Sequence, residues 1–398
     1  MLDAKEKKIL IVAGEASGDL HGSGVVRALR ETAPSLRVCA MGGDRMREAG
    51  AEILIDSSEL AVVGITEVLG RILGLWKAYR RLKKILQTGQ ANLLILIDFP
   101  DFNLSLAEVS RKAGVPVLYY ISPQIWAWRS GRIHKIARRV QKMAVIFSFE
   151  KPIFEKAGVD VEFVGHPLLD VLTWEEKQGA VTDFPEYGNH RPLIVLLPGS
   201  RAKEVQTLLP EMVHAAETIL RTKPDAHFLV AAAPTVRIEE IKKMIPSGLK
   251  IFKVVRDQTH EAIQAADLVI VASGTATLET AFLGKPMVIL YQVSPLSYWI
   301  GRAMVKVNCI GMVNIVAGRK VVQELLQKDA RADRIAEEAL RILEDEPYRK
   351  EMIRALGEVR EKLGTPGAGR RVAHMALEML ASQHGSKSTD QQADKLTG

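Results

Sequence analysis

The sequence predicts an α/β protein of two doubly wound, Rossmann-like domains, and three observations carry that expectation. Two strand–glycine loop–helix openings stand about half a chain apart, KKILIVAGEASGDLHG from Lys7 and RPLIVLLPGSRAKEV from Arg191. Each joins a short buried-strand run to a glycine-containing turn and an amphipathic helix, which is how such a domain begins. Around them, short apolar runs alternate with helical patterns, as in parallel sheets linked by crossover helices. The chain has 398 residues, more than one core supports, so two domains are expected. Two such domains imply a cleft, and folds of this kind bind small molecules at the carboxyl ends of their strands.

Taken in order, the apolar runs give strands at Ile9–Ala13, Arg37–Met41, Leu93–Asp98, Val115–Ile121, Met143–Phe147 and Val161–Val164. Helical spacing fills the intervals at Gly22–Thr32, Leu104–Ala113, Arg132–Val140 and Glu150–Ala157. Residues 172–190 turn polar and irregular and read as a linker, which bounds an N-terminal domain at 1–171 and a second domain at 191–365. Strands are expected there at Leu193–Leu197, Ala226–Ala231, Lys250–Val254, Leu268–Val271 and Pro286–Tyr291. From Val321 onward the chain reads as helical, broken at Pro347 and at Gly364–Gly369. Residues 366–382 make a C-terminal helix, and the polar stretch 383–398 reads as disordered.

Composition narrows the class. Apolar and charged residues stand near globular averages, which excludes a fibrous or disordered chain. Runs such as Leu93–Ile97 and Leu268–Ala272 suit buried strands and are too short to span a bilayer. The opening charges followed by Ile9–Ala13 read as a first strand and not as a signal peptide. Cys39 and Cys309 form no metal-type spacing, so a reducing cytoplasm is the simplest setting. The balance of 54 basic against 47 acidic side chains comes without zinc-knuckle, RNP or recognition-helix patterns, so no nucleic-acid partner is expected.

Several loops carry chemistry. GEASGD (Gly14–Asp19) lacks both the dinucleotide and the P-loop spacing, and its Glu15, Ser17 and Asp19 suit hydrogen bonds to sugar hydroxyls. A helix cap by Ser17 or Asp19 is the alternative. Asp98 in IDFPDFN ends a central strand, where a general base for a hydroxyl would sit; ordinary turn chemistry is the other reading. In PGSR (Pro198–Arg201), Arg201 follows a strand and is the type of cation that grips phosphate in a fork. ASGTATLETAFLGKP runs from strand through a Ser273-Gly274-Thr275 turn into a helix at Ala276, whose first N–H groups suit a diphosphate. Glu279, one turn on, is placed either to accept from ribose hydroxyls or simply to favour the helix start. Trp126 and Trp128 either stack on sugar or acyl chains or anchor their loop to the core. No D-x-D spacing occurs, so no metal ion and no other cofactor is expected.

These motifs in this order, G-E-x-S-G-D at Gly14, D-F-P-D-F-N at Asp98, Y-x-x-P-Q-x-W-A-W at Tyr120, P-G-S-R at Pro198 and S-G-T-A-T-L-E at Ser273, resemble bacterial lipid-A-disaccharide synthase from about Lys7 to about Leu363. The resemblance implies an inverting glycosyltransferase of GT-B architecture. Its donor would be UDP-2,3-diacylglucosamine and its acceptor 2,3-diacylglucosamine 1-phosphate, joined through a β-1,6 bond with release of UDP. It further implies Asp98, Glu15 and Arg201 as catalytic residues. Ser17, Gly18, Asp19, Gln124, Trp128, Ser200, Ser273, Gly274, Thr275, Ala276, Glu279 and Asn314 would bind substrates. Leu20-His21 closes the first motif where the family varies, and the tail after Ser382 has no counterpart. A UDP-sugar epimerase of the same architecture and an inactive sugar-nucleotide-binding module are the rival readings. The oligomeric state is left open, a homodimer included.

One segment suggests a membrane surface. Across Thr66–Gly89 apolar residues including Leu69, Ile72, Leu75 and Trp76 fall on one broad helical face, while Arg71, Lys77, Arg80, Arg81, Lys83 and Lys84 crowd the other with Glu67 the sole acid. A one-signed basic face beside Trp and Leu is the composition of an interfacial helix on anionic lipid, the alternative being a core-facing helix. The expectation is a cytoplasmic enzyme peripherally associated with the cytoplasmic face of the inner membrane.

Overall fold

A computed structural model of the chain describes residues 7–57, 67–127, 130–177, 192–246, 251–294 and 309–394. Two compact units emerge, Met1–Asp170 with Gly364–Gly398, and Val171–Leu363.

The first unit is built on seven parallel strands: β1 (Lys8–Ala13), β2 (Arg37–Gly42), β3 (Glu52–Asp56), β4 (Leu93–Ile97), β5 (Val117–Tyr120), β6 (Lys142–Val145) and β7 (Asp160–Phe163). Their order is β3-β2-β1-β4-β5-β6-β7, so the direction of winding reverses between β1 and β4. Those two strands pair in register, with Ala13 opposite Ile97. The residues that follow each, Gly14 and Asp98, therefore emerge side by side at the carboxyl edge of the sheet. β4 is buried throughout and β1 nearly so, which is why both read as continuous apolar runs.

The second unit holds six parallel strands: β8 (Leu193–Leu197), β9 (His227–Ala232), β10 (Phe252–Arg256), β11 (Leu268–Ala272), β12 (Met287–Tyr291) and β13 (Glu324–Leu326). Their order, β10-β9-β8-β11-β12-β13, places the reversal between β8 and β11. Val271 stands opposite Leu197, so Pro198–Arg201 and Ser273–Thr275 leave the sheet beside each other. The likeness of the two halves therefore extends to where each changes winding direction.

Two strands, β3 and β13, lie outside the sequence-based expectation, and both are edge strands. Each is short, bears an acid at its start, and is only partly buried, so it lacks the long apolar run that marks a central strand. The expectation of helix from Val321 onward is thus interrupted at Glu324–Leu326. After Gly364 the chain returns to the first unit, where helix Ala368–Asp394 packs along α1 (Ala16–Thr32). Asp170 caps that returning helix, its carboxylate accepting from the N–H groups of Gly367 and Gly369. The helix runs on to Asp394 where disorder is expected from residue 383, with no proline inside it to stop it.

Helix α3 (Glu67–Gln87) lies over the core of the first unit. Ala78, Leu82, Ile85 and Leu86 are buried, with Leu75 and Tyr79 packed against the same cluster. Burying a leucine such as Leu82 contributes roughly 1.5–3 kcal/mol. Outside that cluster, Ile72, Leu73 and Trp76 remain 59%, 54% and 53% exposed.

Candidate active site

In the first unit the site is assembled at the carboxyl edge of the sheet. Glu15 opens α1 with an exposed side chain that makes no bond to the helix it begins. Beside it, Asp98 and Phe99 both adopt left-handed backbone, at φ 46° and 47°. Two consecutive non-glycine residues in this region are strained and persist only when their surroundings impose them. The constraint is visible. Asn103, fully buried on α4 (Pro100–Lys112), donates to the carbonyls of Ile97 (3.1 Å) and Asp98 (2.7 Å), and the Tyr119 hydroxyl donates to the Asp98 carbonyl at 2.6 Å. Gly14 completes the turn, because a Cβ there would stand 2.4 Å from the Phe99 ring. Burial, and then the neighbouring Glu15 carboxylate, raise the Asp98 carboxyl above its ordinary range. A strained strand-end carboxyl poised upward by a second acid is an arrangement suited to proton transfer.

Other residues of the same loops turn out to build the scaffold. Asp19 is 6% exposed and accepts from the N–H groups of Gly43 (2.7 Å), Arg45 (3.1 Å) and Met46 (3.2 Å). It caps α2 (Asp44–Glu48), so its expected role as a sugar contact gives way to a cap on a helix distant in sequence. Gly18 is buried, and a Cβ on it would crowd the Ala13 side chain at 3.0 Å, so it permits close helix–strand packing. Ser17 remains exposed. After β5, Gln124 is exposed while Trp126 is anchored, its ring edge-on to Phe149 at 5.1 Å and its Nε1 donating to Glu150 at 3.0 Å. Trp128 lies outside the described residues.

In the second unit, Gly199 (φ 117°) turns the chain out of β8 toward α5 (Ala202–Thr222). A side chain there would be strained and would meet the Glu204 carboxylate at 2.7 Å. Glu204 accepts from the N–H groups of Ser200 and Arg201, each at 3.3 Å, and from the Arg201 guanidinium at 2.8 Å. An acid three residues into a helix, turned back on its first N–H groups, is half of a capping box. R-x-x-E spacing could have revealed it in the sequence. The Arg201 side chain is 81% exposed, with that carboxylate along one edge.

After β11, Gly274 and Thr275 are exposed, and a Cβ on Gly274 would meet no described atom within 4 Å. The helix they open, α6 (Ala276–Phe282), has only seven residues, so its dipole is shorter than the sequence pattern suggests. Glu279 stands on it, 18% exposed, with Oε2 3.3 Å from His260 Nε2. Asn314, expected to reach the donor, is 1% exposed and fully engaged with protein. Its Oδ1 accepts from Val321 and Val322 N–H at 2.8 and 3.0 Å, and its Nδ2 donates to the Val322 carbonyl (2.9 Å) and Glu324 (2.7 Å). Glu324 in turn accepts from Ile310 and Gly311 N–H at 2.9 and 3.0 Å, holding the loop whose Ile310 carbonyl faces Ser273 Oγ at 3.4 Å. Asn314 thus shapes the Ser273 loop from behind. A cavity of about 600 Å³ lined by Lys223, Lys285 and Arg349 lies at the amino-terminal edge of this sheet, the wrong end for these loops.

Comparison with known proteins agrees with this layout. A family model described as lipid-A-disaccharide synthetase matches residues 9–371. The lipid-A-disaccharide synthase of Geobacter sulfurreducens is 47% identical over 385 residues, covering 96% of this chain and all (100%) of that one. That of Nitrosococcus oceani is 41% identical over 377 residues, covering 94% and 97%. Among solved structures, an S. aureus MnaA–UDP co-structure superimposes with a TM-score of 0.66 over 92% of this chain and 94% of that one, at 12% identity. The glycosyltransferase of kitacinnamycin gives 0.63 over 94% and 98%, at 14% identity. Likeness at such identities shows the fold alone, the two-domain Rossmann-like architecture that epimerases and glycosyltransferases share. The near full-length relatives above 40% identity decide the rest: the chain belongs to the lipid-A-disaccharide synthase family.

Proposed function

We propose that this glycosyltransferase moves 2,3-diacylglucosamine from UDP to the 6-hydroxyl of 2,3-diacylglucosamine 1-phosphate. The products are the β-1,6-linked lipid A disaccharide 1-phosphate and UDP. The observation that carries the reading is that the expected motifs occupy both loops flanking the winding reversal in each sheet: Glu15 and Asp98 in one, Ser200–Arg201 and Ser273–Glu279 in the other. Ligands of open α/β sheets bind at those points.

In this scheme the first unit takes the acceptor. Asp98 removes the proton of the 6-hydroxyl as that oxygen attacks the anomeric carbon, and UDP departs from the opposite face with inversion. Burial, and then the Glu15 charge, keep the Asp98 carboxyl basic enough for the task. Ser17 and Gln124 orient the sugar. The second unit takes the nucleotide: the Arg201 guanidinium, exchanging Glu204 for phosphate, and the amides of Gly274–Ala276 stabilise charge growing on the diphosphate. Glu279, steadied by His260, accepts from the ribose hydroxyls. No metal ion enters this scheme, because the Arg201 guanidinium and the backbone amides carry the leaving-group charge.

The acylated substrates are drawn from a membrane surface, and α3 is the docking element. Exposed Ile72, Leu73 and Trp76 stand with exposed Lys77, Arg80, Arg81, Lys83 and Lys84, and the Arg80 guanidinium lies 4.6 Å over the Trp76 ring. Leu75, expected on the lipid side, packs into the core, because at 100° per residue it shares a face with Ala78, Leu82 and Leu86. The Leu69 side chain lies outside the described residues. Among the described residues no helix is long and apolar enough to cross a membrane. Such a surface suits anionic lipid on the cytoplasmic face of the inner membrane.

The deciding assay measures UDP release from UDP-2,3-diacylglucosamine with and without the acylated acceptor. Acceptor-dependent release is expected. A C2-inverted sugar formed without acceptor would establish an epimerase, and tight binding without turnover a binding module.

A further inference from the structure

Glu150 is a buried acid that the scheme above leaves without a task. It is 1% exposed, just beyond β6 at the same edge of the sheet as Asp98. Its carboxylate gathers three donors: Ser122 Oγ at 2.7 Å, Trp126 Nε1 at 3.0 Å and the Phe147 N–H at 3.3 Å. Ser122 and Trp126 bracket the exposed Gln124 on the turn that follows β5. That turn begins at Ile121, whose φ of 62° is a left-handed conformation that a β-branched residue holds only under constraint. Besides the turn's own Ile125-to-Pro123 and Ala127-to-Gln124 backbone bonds, the segment 144–150 supplies several constraints. Ile121 N–H donates to the Ala144 carbonyl at 3.1 Å, Trp126 lies edge-on to Phe149, and Phe149 stacks on Phe147 at 5.4 Å.

A buried carboxyl is a poor way to gain stability, since an apolar side chain of similar volume fills the same space without desolvating a charge. What it supplies is geometry: one group ties both sides of a short turn to a rigid strand end. We propose that Glu150 is a positioning residue for the acceptor sugar, fixing the Ser122–Trp126 turn and with it the reach of Gln124. This inference rests on the reading of Gln124 as an acceptor contact.

The test is steady-state kinetics on Gln124→Ala, Trp126→Phe, Glu150→Ala, Glu150→Gln and the double variant Gln124→Ala/Glu150→Ala. Glu150→Ala and Trp126→Phe are expected to raise the acceptor KM about tenfold, the worth of one good hydrogen bond, with the donor KM unchanged. Glu150→Gln keeps an oxygen for Ser122 and Trp126 and recovers most of the loss. In the double variant the two effects fail to add. An unchanged acceptor KM in folded Glu150→Ala, or an equal rise in both KM values, overturns the proposal. Should Glu150→Ala not fold, Trp126→Phe keeps an aromatic, though smaller, side chain beside Phe149 while removing the Nε1 donor, and reads the same bond. A silent Gln124→Ala overturns the reading of Gln124 itself, whereas strict additivity overturns only the route from Glu150 to Gln124.

Discussion

Glu150→Gln is expected to become progressively more stabilising, relative to the parent, as pH rises from about 4.5 to about 7. Two influences compete at this carboxyl. Burial penalises the charge, while donation from Ser122, Trp126 and Phe147 favours it; burial wins and lifts the carboxyl from 4.5 to about 7. The Ile146 backbone also favours the charge, and His166, whose ring lies 5.2 Å from Phe147, is held neutral by burial with its pKa lowered to about 3. Between about 4.5 and 7 the folded protein keeps a proton that the unfolded chain has lost, so the native state binds more protons and stability falls as pH rises. At about 1.4 kcal/mol per pH unit the loss amounts to about 3 kcal/mol, complete above about 7. Glutamine carries no such proton. Its stability difference from the parent should therefore be small near the lower limit and grow to about that figure above neutrality. Urea unfolding of both proteins across this range, compared transition by transition, measures it. Parallel curves, or a variant that loses ground as the pH rises, would refute the argument and mean that the three donors outweigh burial.

Asp98→Asn should lower turnover by roughly 10²–10⁴-fold with UDP affinity unchanged, and turnover within threefold of the parent removes Asp98 from the mechanism. Glu15→Gln should shift the acid limb of kcat/KM to lower pH, because the charge that raises Asp98 is gone; an unmoved limb or an upward shift contradicts the pairing. Glu279→Ala should weaken UDP binding, and excess EDTA should leave turnover intact; loss restored by magnesium or manganese would show that a metal carries the leaving-group charge. Serine at Ile72, Leu73 and Trp76 should free the folded protein from anionic vesicles, whereas persistent co-sedimentation locates the lipid contact elsewhere.

How far the sequence alone reaches depends on the range of each interaction. The glycine turns after β1 and β8 and the strand-end Asp98 are local patterns, and they lead directly to the loops that flank the two winding reversals. Asp19 is different. Its partners lie 24 to 27 residues away, so nothing in the spacing of GEASGD distinguishes a sugar contact from a cap on α2. Glu150 reaches Ser122 across 28 residues, and Glu324 reaches Ile310 across 14, so neither announces itself in a motif. The edge strands β3 and β13 escape notice because their partial burial relaxes the demand for apolar residues. Periodicity identified α3 as amphipathic, but a broad apolar face hides its own division: Leu75 turns inward and Leu73 outward.

That division matters for any test of the membrane contact. The inner face of α3 is tied to the Asp98 loop, since Tyr79 meets Phe102 edge-on at 5.9 Å and Phe102 lies 5.3 Å from Phe99. Phe99 is the strained neighbour of Asp98 and covers Gly14. A change such as Leu82→Ala would open a cavity beneath this chain of rings, at roughly 2–5 kcal/mol, and disturb folding and catalysis together. Ile72, Leu73 and Trp76 are more than half exposed and are not part of the core cluster, so their substitution leaves those rings in place. If the outer face binds lipid, its serine variants therefore lose vesicle binding, and turnover of substrates presented in vesicles, while turnover of detergent-dispersed substrates is retained. Loss of both activities in a folded outer-face variant would mean that the two faces are coupled, and the separation drawn from the packing would fail.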